Sequence, residues 1–78
     1  MPTVLQIRGY RFFFYVNDHT PPHIHVEKDR STAKFSLINA ELAKSKRFTA
    51  KELSEIRKIV LDNLELLKAK WDERFTNY

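Results

Sequence analysis

The stretch NDHTPPHIHV, from Asn17 to Val26, concentrates the residues of this sequence that could carry out chemistry. It contains all three histidines, two prolines and one aspartate. In an extended strand alternate side chains point to the same side, so His23 and His25 would share one face. Ile24 would then point to the interior. The spacing therefore predicts a paired-histidine site, in which imidazole binds a metal, moves protons or contacts phosphate.

One interpretation is a metal site. Alternate residues of a strand lie about 6.6 Å apart, which lets His23 and His25 bind the same ion. A third ligand could come from His19 or Asp18 in the preceding loop, and imidazole with carboxylate suits zinc or another divalent transition metal. Lys34, expected beside His25, would oppose this role because an ammonium group repels a cation.

A second interpretation is RNA cleavage without a metal. One imidazole would take the proton of a 2′-hydroxyl and the other would protonate the leaving oxygen, which suits a side chain with an ordinary pKa of about 6.5. Lys34 would stabilise charge on the phosphorane, and Tyr15 would orient a histidine or stack on a base. We give this interpretation priority. The expected catalytic residues are therefore His23, His25, Lys34 and Tyr15, with no cofactor; a zinc-type ion is the alternative.

Two further interpretations involve no catalysis. A module that only binds nucleic acid or protein would use a basic and aromatic surface for phosphate contacts and stacking. The expected nucleic-acid contacts are Arg11, Arg30, Lys34 and Arg47. Alternatively, the histidines could be structural residues of a turn that the prolines set.

Length and composition limit the class of protein. The 78 residues predict one small domain over residues 1–78, with a core small enough that a homodimer or another partner would help. Cysteine is absent, which excludes disulfides and thiolate metal ligands.

The positive charge lies in the part of the chain that contains the histidines. Residues 1–48 carry 8 Lys+Arg against 4 Asp+Glu, whereas residues 49–78 carry 6 of each, so the whole net charge of +4 belongs to the first part. Such a surface attracts nucleic acid, although a small positive excess is also common on soluble domains. No apolar run approaches the roughly 18 residues of a membrane span and no secretory signal is visible. We therefore expect a cytoplasmic protein.

Two hairpins are expected to position the histidines. Residues 3–7 and 10–16 are rich in β-branched and aromatic side chains and flank the only glycine, Gly9. A tight turn there would place Ile7 opposite Tyr10.

The second hairpin pairs residues 23–28 with residues 31–38 around a turn at Asp29-Arg30. A two-residue or four-residue turn would place His25 opposite Lys34. The aliphatic neighbours of the histidines would then lie on the buried side.

A helix is expected after the sheet. Thr49 and Glu52 have the spacing of a capping box, in which each side chain satisfies a free backbone donor of the other residue. Apolar residues then recur at steps of three and four along a single stripe: Leu53, Ile56, Val60, Leu64, Leu67, Trp71 and Phe75.

These elements predict an α+β fold. Two consecutive hairpins would form a four-stranded antiparallel sheet over residues 3–38, with Val16 beside Ile24 where the hairpins meet. Residues 39–48 have no clear period and are expected to be a connection. One long C-terminal helix, residues 49–76, would then cover one face of the sheet.

Several blocks of the sequence resemble a known bacterial family. The segments GYRFFFYVNDH, PPHIHVEKD, AKFSL and FTAKELSEI, with a late Trp-Asp-Glu, are similar to the family catalogued as domain of unknown function 4160. Some of its members are named as DhiT-like toxins of type II toxin-antitoxin pairs. The resemblance implies a toxin-like component that acts on RNA or on translation, with RNA or the ribosome as target and a small protein antitoxin as partner. The matching positions include His23, His25, Lys34 and the Asn17-to-His19 approach, whereas the turn at Asp29 lacks the glycine that relatives often have.

Overall fold

The computed structural model describes residues 3–75. These residues form five strands and two helices: β1 (Thr3–Ile7), β2 (Tyr10–Phe13), β3 (His23–Lys28), β4 (Ser31–Ser36), β5 (Leu42–Lys46), α1 (Ala50–Asp62) and α2 (Leu64–Phe75). The strands make one antiparallel sheet in the order in which they follow along the chain. The predicted α+β fold with an antiparallel sheet is confirmed. The predicted four strands and single long helix are wrong, because the sheet has a fifth strand and the helix is divided.

The first hairpin has the predicted register. Ile7 lies opposite Tyr10, and the two turn residues Arg8 and Gly9 have φ angles of 54° and 86°. Positive φ at both central positions is the geometry of a type I′ turn, whose twist matches that of the strands. The glycine accounts for the second of these angles because it has no Cβ to clash.

The second hairpin also has the predicted register. His25 lies opposite Lys34, and the chain reverses through Asp29, which adopts a φ of 55°. Aspartate tolerates this left-handed conformation better than most residues, which explains how the turn forms without glycine. Ile24 and Val26 are 0% exposed, so the histidines that alternate with them lie on the opposite face of β3.

The predicted contact between the hairpins is wrong by two residues. Phe12 lies opposite Val26 and Phe13 opposite His25, whereas the sequence suggested Val16 beside Ile24. A shift of two keeps every side chain on its expected face, so alternation alone cannot distinguish the two registers. The observed register buries Phe14 at 1% exposure and leaves Val16 69% exposed, which removes the larger side chain from water.

The fifth strand lies within the predicted connection, 39–48. Its sequence, LAKSK, lacks β-branched and aromatic residues, and all five of its residues are exposed. No alternation of apolar and polar residues therefore marks it. Lysine is common on such edge strands because it discourages pairing with another chain.

The helix begins as predicted and is interrupted at Asn63. The Thr49 hydroxyl accepts from the Glu52 N–H at 3.1 Å, and the Thr49 N–H donates to the Glu52 carboxylate at 2.9 Å. Asn63 caps α1, its amide Nδ2 donating to the Ile59 carbonyl at 2.8 Å. Its own carbonyl accepts from Leu67 N–H in α2. The Asn63 side chain thus competes with its own backbone N–H, which also donates to the Ile59 carbonyl at 3.1 Å, and the apolar stripe continues across the interruption. Residue 76, the predicted helix end, lies outside the described residues.

Both helices pack on one face of the sheet. Their buried side chains join those of β2, β3 and β4 in one core; the helical members are Ile56, Ile59, Val60, Leu67 and Trp71. The opposite, open face of the sheet carries the histidines. No helix among residues 3–75 is long and apolar enough to cross a membrane.

Candidate metal centre

Two imidazoles and one carboxylate meet at the end of the sheet where β3 begins. The Nε2 atoms of His23 and His25 lie 3.0 Å and 3.1 Å from the same oxygen, Oδ1 of Asp18. All three potential ligand atoms lie within 4.8 Å of one another. The alternation along β3 brings the two rings to one face, and the loop after β2 brings the carboxylate to them.

The loop holds Asp18 through a reciprocal pair of hydrogen bonds. The Asp18 N–H donates to the Tyr15 carbonyl at 3.2 Å, and the Tyr15 N–H donates to Asp18 Oδ2 at 2.8 Å. The second carboxylate oxygen is therefore tied to the backbone. Oδ1 remains directed at the two histidines.

The orientation of the His23 ring determines which of its nitrogens carries a proton. Its Nδ1 lies 2.9 Å from the Pro21 carbonyl oxygen, which can only accept a hydrogen bond. Nδ1 must therefore carry a hydrogen. In the neutral ring the Nε2 atom then presents a lone pair, and this lone pair faces Asp18 Oδ1.

With a neutral His23 ring, the contact between His23 and Asp18 therefore joins two hydrogen-bond acceptors. A carboxylate oxygen and an unprotonated Nε2 repel each other unless an extra proton or a cation lies between them. Metal-binding histidines commonly donate their other ring N–H to a carbonyl or carboxylate, as His23 does to Pro21. His23 thus has the kind of outer hydrogen bond that is common in metal sites.

The protonation states also suit a metal. Burial lowers the pKa of the His25 imidazole and outweighs the opposing effect of Asp18. Burial raises the pKa of the Asp18 carboxyl, but the hydrogen bonds that it accepts from His25 and from the Tyr15 N–H help to bring that pKa below its ordinary value. A neutral imidazole and an ionised carboxylate are the forms that bind metal ions. The Lys34 ammonium also lowers the pKa of His25, although burial is the larger cause.

Aromatic rings fix the positions of the imidazoles. The His25 ring stacks on Phe13 at 5.6 Å between centroids and meets the edge of Tyr15 at 4.5 Å, and the His23 ring lies 5.2 Å from Trp71. The side chains of His23, His25 and Asp18 keep 13%, 18% and 9% of their surface exposed. The triad is thus held rigidly and still reaches solvent.

An open cleft of about 410 Å³ gives access to the triad. His19 and Lys34 line this cleft together with the triad. Among the described residues, the cluster of potential ligands contains Asp18 and does not contain His19. Of the two loop residues proposed as a third ligand, only Asp18 is therefore brought to the histidines.

The other predicted site residues lie at varying distances from the triad. Tyr15 and Lys34 both lie beside His25. Arg11 is on the open face but forms an ion pair with Glu27. The strand register places Arg30 and Arg47, both exposed, toward the end of the sheet away from the triad.

Sequence reasoning missed the residues that support the triad. Phe13 was not expected beside His25 because the contact between the hairpins was misplaced by two residues. Trp71 was recognised only as part of the apolar stripe. Lys44 and Lys46 were placed in a connection, although their spacing of two residues is the signal of a shared strand face.

The fold and the site define a small α+β protein with a two-histidine, one-carboxylate cluster at one end of its sheet. The chain belongs to the family described as Domain of unknown function (DUF4160), whose model matches residues 9–72. The matched residues include the whole triad and the core of the sheet, and they confirm the resemblance to this family noted from the sequence. No curated protein and no solved structure matches the chain.

Proposed function

We propose that this protein binds one divalent transition-metal ion through His23, His25 and Asp18 and uses it to hydrolyse a phosphate ester. The observation that carries the proposal is the convergence of both Nε2 atoms on Asp18 Oδ1, with the His23 Nδ1–H held by the Pro21 carbonyl. Lone pairs that face one another at hydrogen-bonding distance are best explained by a cation between them.

The distances fit a first-row ion. In a tetrahedral site with bonds of about 2.0–2.2 Å, neighbouring ligand atoms lie about 3.3–3.6 Å apart. The observed separations from Asp18 Oδ1 are 3.0 Å and 3.1 Å, and all three ligand atoms lie within 4.8 Å of one another, so binding would need the side chains to adjust their positions. Two imidazoles and one carboxylate suit zinc or non-haem iron.

Three protein ligands leave at least one coordination position open, which distinguishes catalytic from structural zinc sites. An ion held there would supply Lewis-acid chemistry toward water and a phosphoryl oxygen. In the hydrolysis the oxygen of water would bond to phosphorus, the bond from phosphorus to the ester oxygen would break, and one proton of the water would go to the leaving oxygen and the other to solvent. Lys34 lines the same cleft and would attract the anionic ester and balance its developing charge.

Metal-free cleavage by the two histidines is less well supported by this geometry. General acid and base catalysts must point at the substrate. Here both Nε2 atoms point at Asp18, and the His23 Nδ1 is committed to a backbone carbonyl.

The experiment measures bound metal and ester hydrolysis in the same preparations. The wild-type protein should carry near-stoichiometric transition metal and hydrolyse bis(p-nitrophenyl) phosphate, and EDTA should abolish the hydrolysis. His25→Ala and the isosteric Asp18→Asn should lose both properties. His19→Ala is the matched control, because His19 lines the cleft outside the cluster and its loss should leave metal content unchanged. Absence of metal from a folded wild type that also fails to take up added zinc, nickel, manganese or iron would refute the proposal.

We infer a cellular role from the same chemistry. A hydrolase that acts on the phosphodiesters of RNA would inhibit translation, which agrees with the toxin role implied by the family resemblance. Expression of the wild type should slow growth and bulk protein synthesis, and Asp18→Asn should relieve both effects. Equal inhibition by the two proteins would separate the toxin role from the metal centre.

A further inference from the structure

Three lysines lie together on the open face of the sheet, beside the metal centre. Lys34 of β4 lies directly opposite Lys44 of β5, and Lys46 lies two residues further along the same strand, opposite Thr32. Cross-strand partners, and residues two apart on one strand, point to the same face. We call Lys34, Lys44 and Lys46 the lysine track.

The track carries positive charge that nothing in the described part of the chain neutralises. No ion pair forms at any of its lysines within residues 3–75, whereas Arg8, Arg11 and Lys68 all have acidic partners. Like charges directly opposite each other on neighbouring strands destabilise a sheet. Protection of an edge strand explains lysines on β5, but Lys34 lies on β4, an interior strand with β3 and β5 on its two sides.

A groove connects the track with the metal centre. The three lysines line a groove of about 300 Å³ together with Tyr15 and His25. His25 and Lys34 also line the cleft that contains the triad. The two depressions therefore adjoin, and the groove leads from the metal centre along β4 and β5.

An aromatic ring lines the same groove. Tyr15 is 43% exposed, and its ring is held edge-on against Phe13 at 5.1 Å and against His25 at 4.5 Å. A ring held in this way and exposed to solvent is a platform on which a nucleobase can stack.

We propose that the lysine track and Tyr15 bind a single-stranded nucleic acid, with its phosphates along the lysines and a base on the Tyr15 ring. Lys44 and Lys46 are alternate residues of β5 and lie about 6.6 Å apart, which is comparable to the spacing of successive phosphates along an extended chain. Stacking on Tyr15 requires an unpaired base, so a single strand fits the groove and a duplex does not. The inference deepens the proposed function and rests on it in one respect: the ester that is hydrolysed is the phosphodiester at the triad end of the groove.

Binding is measured by fluorescence anisotropy with a labelled 12-nucleotide single strand in EDTA, so that metal and cleavage play no part. Three phosphate contacts predict that log K falls with log salt with a slope of about −2, since each contact to a single strand contributes about −0.7. The triple variant Lys34→Gln, Lys44→Gln, Lys46→Gln should lose most of this slope. The matched control Lys51→Gln, Lys58→Gln, Lys70→Gln makes the same charge change on the helices and should keep it. The double variant Lys44→Gln, Lys46→Gln changes only the exposed edge strand and keeps the half-buried Lys34. It should also reduce the salt slope, and it does not disturb the packing around Lys34.

Tyr15→Leu tests the stacking platform. It should weaken binding roughly 5- to 150-fold without changing the salt slope, the range expected for one base stacked on an aromatic ring. A duplex of the same sequence should bind more weakly than the single strand.

Several outcomes would overturn the inference: no binding, equal slopes for the two triple variants, or a preference for duplex. Displacement by polyglutamate as efficient as displacement by unlabelled single strand would identify an acidic protein surface as the ligand and would also overturn it. Metal content of the same preparations reports separately on the proposed function. Binding of metal without binding of the single strand would refute this inference alone. Binding of the single strand by a protein that takes up no metal would refute only the proposed function.

Discussion

The carboxylates of Glu55 and Asp18 each contact two side chains, but the two pairs of side chains differ in their hydrogen-bonding chemistry. Glu55 accepts from the Tyr10 hydroxyl at 2.8 Å and from the Arg8 guanidinium at 2.9 Å. Asp18 meets the Nε2 atoms of two imidazoles, and the His23 ring donates its Nδ1–H to the Pro21 carbonyl. Every acceptor of the first cluster has a donor, whereas in the second a neutral His23 sets acceptor against acceptor.

The difference separates a structural contact from the cluster that we propose as a binding site. The Glu55 cluster attaches the first hairpin to α1 and is complete as it stands. In the Asp18 cluster, aromatic packing holds the two imidazoles beside the carboxylate. A polar cluster whose members satisfy one another stabilises a fold, and a cluster that needs an additional component indicates function.

The largest expected contrast is the response of the two clusters to metal. Zinc at 100 times its dissociation constant should stabilise the wild type by about 2.7 kcal/mol. For a domain of this size that corresponds to a rise in Tm on the order of 10–20 °C. Thermal unfolding should show the full shift in Glu55→Gln and none in Asp18→Asn. A shift retained in Asp18→Asn would place the ion elsewhere.

The next contrast concerns stability without metal. Asp18→Asn keeps an oxygen for the Tyr15 N–H and supplies an amide donor for the His23 Nε2 lone pair, so it should raise the free energy of unfolding by about 1 kcal/mol. Glu55→Gln removes the charge that accepts from Tyr10 and Arg8, so it should lower the free energy of unfolding. Urea denaturation at pH 7 in EDTA measures both. Destabilisation by both substitutions would remove the distinction between the clusters.

The smallest contrast is the pH dependence that the Glu55 cluster contributes. Its hydrogen bond from Tyr10 and the charge of Arg8 lower the pKa of Glu55, so its stabilisation is present above the ordinary carboxyl pKa and is lost as pH falls through the lower folded value. Burial and the bond to Glu55 raise the pKa of Tyr10 to about 12. Its stabilisation is therefore complete below about pH 10 and is lost as pH rises through 12.

Tyr10→Phe should flatten both limbs of this profile. The stability difference between wild type and Tyr10→Phe, measured by denaturation from pH 3 to 12, should be greatest at neutral pH and shrink at both ends. A difference that does not change with pH would mean that Tyr10 contributes by packing alone.

The sequence predicted those elements whose pattern has only one physical solution. The histidine pair, the hairpin at Gly9 and the pairing of His25 with Lys34 follow from strand alternation and turn geometry. The capping box at Thr49 likewise fixed the start of α1. These features depend on neighbours in sequence.

The features that the sequence did not predict depend on tertiary choices between locally equivalent arrangements. Two registers between the hairpins satisfy the same alternation, and only the burial of Phe14 over Val16 selects one. The exposed strand β5 has no apolar period, and Asn63 interrupts a stripe that continues across it. The choice of Asp18 over His19 at the site is set by the reciprocal bonds between Asp18 and Tyr15, which no spacing in the sequence reveals.

The most direct test of the metal centre is a long-range ¹H–¹⁵N NMR spectrum of the three imidazoles, recorded without metal and with one equivalent of zinc. The geometry predicts that His23 carries its proton on Nδ1 before and after zinc is added. Zinc should shift the Nε2 resonances of His23 and His25 and leave those of His19 unchanged. A proton on Nε2 of neutral metal-free His23, or zinc shifts confined to His19, would contradict the account.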